Sequence, residues 1–499
     1  MNGFPWLTVI TFLPLVCGLA VLACRPRAAR VLALAATLVE LILVAALAFK
    51  VTAGTTPGGW LMVEDSAWIP AFGIRYTLAL DGISLLFVAL TAVFGVLCVL
   101  VSWNQVTKHV GAFHFAVLAA LSAVYGVFLA TDLFLFALFW EAQIIPLFFI
   151  IGIWGHGEKE RAAIKFFLYS AAGGLLMFLA VIGLGLIHAR ATGTYSFALA
   201  DLIGTAMAPR LGFWLFGAFV LSFAVKLPAV PVHMWLPDAH TQAPTAGSLI
   251  LAALLLKTGG YALLRFAFPL FPAQAMASAP LLMVLGLAGL FFASWVALAQ
   301  EDFKRLVAYS SISHMGLVLL GLAAGNELAL TGAIILMVCH GLTTGGLFAM
   351  AGMVEERLGT RELARLGGLW GQAPVFGALM LIFALASAAL PGLCNFVGEI
   401  MIVFGLFKSS ILAGALAVVG MVLTLVYILR LARDTLFGPP RQGPAVADLG
   451  LREALVLVPL ALLALAIGLH PGPITELIAA PVHHLVSQTA TAASLALGW

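Results

Sequence analysis

The sequence predicts an all-α polytopic membrane protein with about 14 transmembrane helices. Hydrophobic residues make up 63% of its 499 positions and charged residues 9%, against about 25% charged in a soluble globular chain. Apolar runs of roughly 20 residues, the length a bilayer crossing needs, recur from end to end. No connection between them is long enough to fold as a catalytic domain. A soluble enzyme is therefore excluded. The charge balance, 24 Lys+Arg against 21 Asp+Glu, offers no broad basic face for a phosphate backbone, so the expected partner is the lipid bilayer and not nucleic acid.

Apolar runs bounded by charges or by Gly and Pro place helices near 5–24, 29–50, 81–103, 111–130, 132–153, 164–188, 211–236 and 244–268. Six more follow near 279–299, 304–323, 329–352, 373–409, 411–436 and 453–470. Met1 to Cys24 lacks the basic start of a cleavable signal peptide and carries its arginines after the apolar run, so it reads as a retained first helix. The longest connections are 51–80, 190–210, 353–372 and 437–452, and the stretch after about 471 is short and weakly polar. Cys17, Cys24, Cys98, Cys339 and Cys394 fall on helices or their ends without a Cys-x-x-Cys pair, and read as small apolar side chains. His483-His484 and His109 with His114 lack a third ligand, so no metal is expected.

Two spans are interrupted. Leu390-Pro391-Gly392 lies inside a run too long for one simple crossing, and Lys226-Leu227-Pro228, followed by Pro231, breaks the run from 211 to 236. Unwound backbone is tolerated at membrane depth only where it lines a cavity or is buried in protein, so a pair of broken spans points to an inverted-repeat transporter. Counting basic residues by alternate loops puts sixteen on one side, among them Arg25, Arg27, Arg30, Lys304, Arg361 and Arg441. The other side holds Lys50, Arg75, Arg190, Arg210, Arg265 and Lys408. This bias places both termini away from the cytoplasm and favours an even number of crossings.

An ionisable side chain within a span costs about 2.5–3.5 kcal/mol on insertion scales, and six such residues stand here. Glu141 follows Asp132 by nine residues and has no partner near it in sequence, so its partner comes from another helix. Lys226 precedes the first break, where freed carbonyls can solvate an ammonium. Desolvation disfavours a charged lysine and a neighbouring carboxylate favours it, so moving the carboxylate would switch Lys226 between holding and releasing a proton. Glu141 and Lys226 are the natural pair. Lys257 falls midway along the next span, with Gly259 and Gly260 making room for a close helix or for water. His314 and His340 can pass a proton between their ring nitrogens. Glu399 follows the second break as the one carboxylate of its span. Any one of these charges reads equally as a buried ion pair fixing helix packing. Six spread over six spans describe a relay of titratable groups along the membrane plane, and not a redox centre. No nucleotide phosphate loop is present, since Gly155-His156-Gly157 and Gly183-Leu184-Gly185 lack the spacing and the strand-to-helix setting. The energy must come from a gradient or from partner proteins.

The stretch Lys226-Leu227-Pro228-Ala229-Val230-Pro231-Val232-His233-Met234-Trp235-Leu236-Pro237-Asp238-Ala239-His240, followed by Ala243-Pro244 and Ser248, resembles the antiporter-like subunits of respiratory complex I. The resemblance covers roughly 80–440, through Phe139-Trp140-Glu141, Lys257-Thr258-Gly259-Gly260-Tyr261, Gln300-Glu301-Asp302-Phe303-Lys304-Arg305, Tyr309-Ser310-Ser311-Ile312-Ser313-His314 and Asn395-Phe396-Val397-Gly398-Glu399. It implies fourteen helices, two inverted five-helix bundles and broken seventh and twelfth helices. On that reading 1–110 holds helices 1–3, 111–268 the first repeat (helices 4–8), 279–436 the second (helices 9–13), and 437–499 the last loop, helix 14 and a tail.

By the same resemblance, Glu141 and Lys226 look like a coupling pair, Lys257 like the central lysine, His314 and His340 like relay residues and Glu399 like the outlet group, with His233 assisting Lys226 and Asp132 in support. Glutamate at the twelfth-helix position, and the lack of a long amphipathic helix after the last span, point to the M-type chain (mitochondrial subunit 4) over the L and N types. The resemblance implies no cofactor in this chain, with FMN, iron-sulfur clusters and quinone in partner subunits, and chains L and N as neighbours in a bacterial inner membrane. Subunits of multi-subunit sodium/proton antiporters share most of these residues but favour lysine at the twelfth-helix position, and are the alternative.

Overall fold

The computed structural model describes residues 4–51, 59–438 and 446–497, with side chains described as far as 488; Arg441 of the loop count lies outside them. Among the described residues twelve helices are long and apolar enough to cross a membrane, and two shorter apolar helices, Trp6–Leu22 and Pro374–Ser387, lie in two further predicted spans.

Chain order runs α1 (Trp6–Leu22), α2 (Pro26–Val51), a hairpin of β1 (Met62–Ile69) and β2 (Ile74–Leu80), α3 (Gly82–Gln105), α4 (Val110–Leu129), α5 (Leu133–Trp154), α6 (Lys159–Thr192) and α7 (Pro209–Lys226). Then come α8 (Trp235–Gln242), α9 (Thr245–Leu270), α10 (Pro272–Leu298), α11 (Phe303–Ala323) and α12 (Glu327–Leu358). The chain ends with α13 (Pro374–Ser387), α14 (Cys394–Ser409), α15 (Ile411–Leu436), α16 (Leu451–Leu469) and α17 (Gly472–Leu497).

Helix starts follow the acceptor side chains that precede apolar runs. Asp81 accepts from the Ser84 N–H at 2.9 Å while Ser84 Oγ accepts from the Asp81 N–H at 2.9 Å, a reciprocal cap on α3. Asp132 caps α5, Asp302 caps α11 and Asn326 caps α12 by accepting backbone N–H groups of the first turn, without the reciprocal bond. The α1 start has no cap of its own, and Glu64 of β1 supplies one, accepting from Leu7 N and Thr8 N at 2.8 and 2.9 Å.

A helix apolar on every side belongs in the interior. The apolar stretches of α9 and α12 are wholly buried, while those of α10, α15 and α16 are 39% buried and form the rim. Close approach at the centre needs small residues: a Cβ on Gly259 of α9 would lie 2.5 Å from the Leu227 backbone nitrogen.

Both predicted breaks are present. α7 stops at Lys226 and helix resumes at Trp235; α13 stops at Ser387 and helix resumes at Cys394. At each, an N–H reaches back five residues, Ala229 to the Ala224 carbonyl at 2.8 Å and Leu390 to the Leu385 carbonyl at 3.0 Å. The Val225 carbonyl, passed over by this shift, accepts from the Trp235 indole at 2.9 Å.

Three elements differ from the sequence expectation. The 51–80 connection contains an antiparallel hairpin in register Met62↔Leu80, pinned at its turn end by Arg75 on Asp65 at 2.8 and 2.6 Å. That guanidinium holds the Asp65 carboxyl below its ordinary range. The weakly polar tail after 471 is a helix, α17, laid on α3, α10 and α12. Arg265 and Lys304, counted with the loops, are buried inside α9 and α11. The helices start and stop within two residues of the expected 244–268 and 304–323, and the two charges fit inside them because each has a carboxylate partner, Asp81 and Glu355.

Arg265 is paired with Asp81 at the α3 start, both side chains being nearly inaccessible at 6% and 4%, and its guanidinium lies 4.9 Å from the Trp60 ring centroid. Removing one member of such a pair strands the other charge, which costs about 3–5 kcal/mol. Asp81→Asn is expected to lower the melting temperature of the purified protein markedly, and adding Arg265→Met should recover much of the loss. An unchanged melting temperature for Asp81→Asn would contradict this role.

Candidate functional site

The site is assembled from helix interruptions. Within α9, two π-helical turns, Leu251–Leu255 and Leu263–Ala267, flank the turn that carries Lys257. Such turns release carbonyls from the regular ladder, and the Ala252 carbonyl accepts from Lys257 Nζ. The same ammonium lies 2.8 Å from His340 Nδ1 on α12. The His340 and His314 ring centroids are 5.3 Å apart, and His314 Nε2 is 3.6 Å from Glu399 Oε1 on α14. All four side chains are buried.

The second break explains the orientation of His314. The Ser387 carbonyl would normally pair with the N–H four residues on, but that residue is Pro391, which has none. His314 Nε2 reaches this carbonyl at 3.1 Å, while Nδ1 meets the Ser310 carbonyl at 2.8 Å. A neutral imidazole donates through one nitrogen only, so gaining a proton lets the ring satisfy both carbonyls.

The Glu141 and Lys226 pair is arranged differently. Lys226 is fully buried at the end of α7, its Nζ 5.2 Å from the Trp140 ring centroid and without a hydrogen-bond partner among the described residues. Glu141 is half-buried on α5, close enough for its charge to act on Lys226 but not in an ion pair within 4.0 Å. Its carboxylate occupies a notch on α6 left by Gly174, where an added Cβ would fall 1.6 Å from Oε1.

The remaining expected residues are elsewhere. His233 is buried edge-on to Phe292, and its charged neighbour among the described residues is Lys165 and not Lys226. Asp132 caps α5, accepting from Phe134 N and Leu135 N at 2.9 and 3.0 Å, and also accepts from Arg75 N of the hairpin at 3.1 Å. Two buried groups escaped the sequence reading. Lys304 donates to the Ala243 carbonyl at 3.1 Å and lies 3.5 Å from Glu355, which lines a cleft of about 770 Å³ with Lys108 and His156. His240 stacks on Phe348 at 4.4 Å with neither nitrogen paired among the described residues. The expected span 304–323 already held Lys304, and the Asp302 cap, which starts α11 at Phe303, makes it the second residue of the helix. No metal-binding group of His, Cys, Asp and Glu occurs among the described residues.

Broken helices around a buried file of lysine, histidine and glutamate define a polytopic membrane protein of the antiporter kind. The family described as "NADH:quinone oxidoreductase/Mrp antiporter, TM" matches residues 130–424, and the chain belongs to it. It is 45% identical over 436 residues to NADH-quinone oxidoreductase subunit M of Pseudomonas aeruginosa, covering 86% of each chain. A chain of respiratory complex I from Thermus thermophilus with bound NADH superposes with a TM-score of 0.88 at 32% identity, covering 98% of this chain and 99% of that one. A chain of the Mrp complex from Dietzia shares the fold, with a TM-score of 0.85 at 21% identity, covering 99% and 100%.

If the notch at Gly174 positions Glu141, Gly174→Ala should reproduce the effect of Glu141→Gln on activity of the assembled complex. Gly217→Ala, whose added methyl meets nothing within 4 Å, should leave activity unchanged. Wild-type activity in Gly174→Ala would contradict the assignment.

Proposed function

We propose that this chain is the M-type, proton-translocating membrane-arm subunit of a bacterial NADH-quinone oxidoreductase, and that its buried titratable groups carry protons in step with quinone reduction elsewhere in the complex. The observation that carries the reading is the file Lys257, His340, His314 and Glu399, drawn from α9, α12, α11 and α14 and closed to solvent. Proton transfer requires a donor within hydrogen-bond reach of an acceptor. The Lys257 ammonium meets that condition at His340 Nδ1, and passing its proton leaves a neutral amine beside the Ala252 carbonyl. His314, lying between two carbonyls and a carboxylate, takes up the proton next and Glu399 receives it, each through one bridging water because these groups stand beyond direct hydrogen-bond distance.

Glu141 and Lys226 act ahead of this file. With Glu141 near, the Lys226 ammonium is favoured; withdrawing the carboxylate toward a neighbouring subunit leaves a buried, unpaired ammonium that gives up its proton. The half-buried position of Glu141 on the flank of the bundle supports such a movement. The chain itself carries no redox step, so FMN, iron-sulfur clusters and quinone belong to partner subunits, and chains of the L and N types are the neighbours proposed for the two flanks. Residues 111–268 and 279–436 are the two inverted repeats on this reading, supported by the matching backbone hydrogen bonds at the two breaks. The bias of basic residues supports termini on the periplasmic side, and moving Arg265 and Lys304 into the interior removes one residue from each side of that count.

The test is Glu141→Gln in native membranes, with assembly followed on native gels. NADH-driven quinone reduction and proton translocation should fall together by about a hundredfold, the low end of what a positioned proton-transfer group contributes. Normal pumping in an assembled complex would remove Glu141 from the coupling, and cation/proton exchange without NADH dependence would favour an antiporter.

A further inference from the structure

The outer helices α1 and α2 take no part in the file above, yet α2 buries a carboxyl. Glu40 is 2% exposed, and neither of its oxygens has a hydrogen-bond partner among the described residues. α2 packs on α1, α3 and α4, whose titratable side chains are Cys17, Cys98, His114 and Tyr125, with no lysine or arginine among them. The cations of α2 itself are engaged or remote: Arg30 donates to the Val106 carbonyl at 2.8 Å, Lys50 lies over the Trp6 ring at 5.1 Å, and Arg27 is exposed near the helix start. Tyr125 is fully buried on α4 with its hydroxyl unpartnered among the described residues, and it and Cys17 lie near enough to feel the Glu40 charge. A bare, buried carboxylate with no lysine or arginine on any helix packed against its own is a poor occupant of hydrocarbon. The neutral acid suits the same space, having one O–H to give and one carbonyl oxygen to accept.

We propose that Glu40, with Tyr125, is a second proton-binding site of this chain, separate from the Lys257 to Glu399 file and reached from the lipid between α1 and α2. Val16 and Leu19 on α1 and Val39 and Ile42 on α2 are exposed, so both helices present apolar faces to lipid. A lipid-soluble carbodiimide is the matching probe, because it reacts with a protonated carboxyl. The acid proton passes to one carbodiimide nitrogen as the carboxyl oxygen adds to the central carbon. The O-acylisourea then rearranges to a stable N-acylurea, and nothing leaves.

The experiment treats the assembled complex in native membranes with dicyclohexylcarbodiimide or, in parallel, a water-soluble carbodiimide, and maps adducts by peptide mass spectrometry. The expected result is an adduct on Glu40 with the lipid-soluble reagent at neutral pH, at least several-fold above the water-soluble one, declining as pH is raised. It should be absent from Glu40→Gln, and Tyr125→Phe should shift the pH at which labelling declines. The wild-type map decides the matter even if a variant fails to assemble. No adduct on Glu40 while Glu141 or Glu399 is labelled would overturn the proposal. Equal labelling by both reagents, or protection by sodium ions at constant pH, would overturn it as well, by showing a water-filled or a cation-filled site.

Discussion

Inside a bilayer each backbone carbonyl and each N–H needs a partner from the protein, and this constraint ties the arrangement together. Pro391 has no N–H to give Ser387, so the orphaned carbonyl becomes the acceptor for His314. In the π-helical turn before Lys257, the Ala252 carbonyl accepts from the lysine ammonium. At the other break, the Val225 carbonyl takes the Trp235 indole. Interruptions that would weaken a soluble helix are here the means by which charged side chains are held at membrane depth.

Electrostatic demands are met by the same economy. Lys257 has a carbonyl and an imidazole, and His314 has two carbonyls and a carboxylate. Each group is stabilised without being locked to one opposite charge, which suits the proton transfer proposed for them. The Asp81 and Arg265 pair is the contrast: a tight, buried ion pair between the start of α3 and the end of α9, holding the hairpin side of the bundle. Lys226 stands between these cases, with an aromatic face and a nearby carboxylate but no direct partner among the described residues.

The legible parts of the sequence were those with local causes. Apolar length marked the spans, Pro228 and Pro391 marked the breaks, and isolated charges in apolar runs marked Glu141, Lys226, Lys257, His314, His340 and Glu399. Gly259 announced a close approach, and Leu227 fills it. What depends on distant partners was hidden. Nothing near Lys257 in sequence shows that it meets His340, 83 residues away, and nothing near Arg265 shows that Asp81 awaits it. Arg265 lies inside the expected 244–268 span yet was counted with the loop charges because it stands near the end of that span, and Glu40 was absorbed into a strong apolar run. The hairpin was missed because Glu64, Asp65 and Arg75 give 62–80 a loop-like charge pattern, although they cap α1 and pin the turn.

The central claim is that Lys257, His340, His314 and Glu399 move protons as one connected file. The most direct measurement is NADH-driven proton translocation by assembled complexes carrying His340→Gln, Glu399→Gln and both substitutions together. Members of one file share a single function, so the double variant should lose no more than the worse single one. Losses that multiply would show two independent routes and contradict the account.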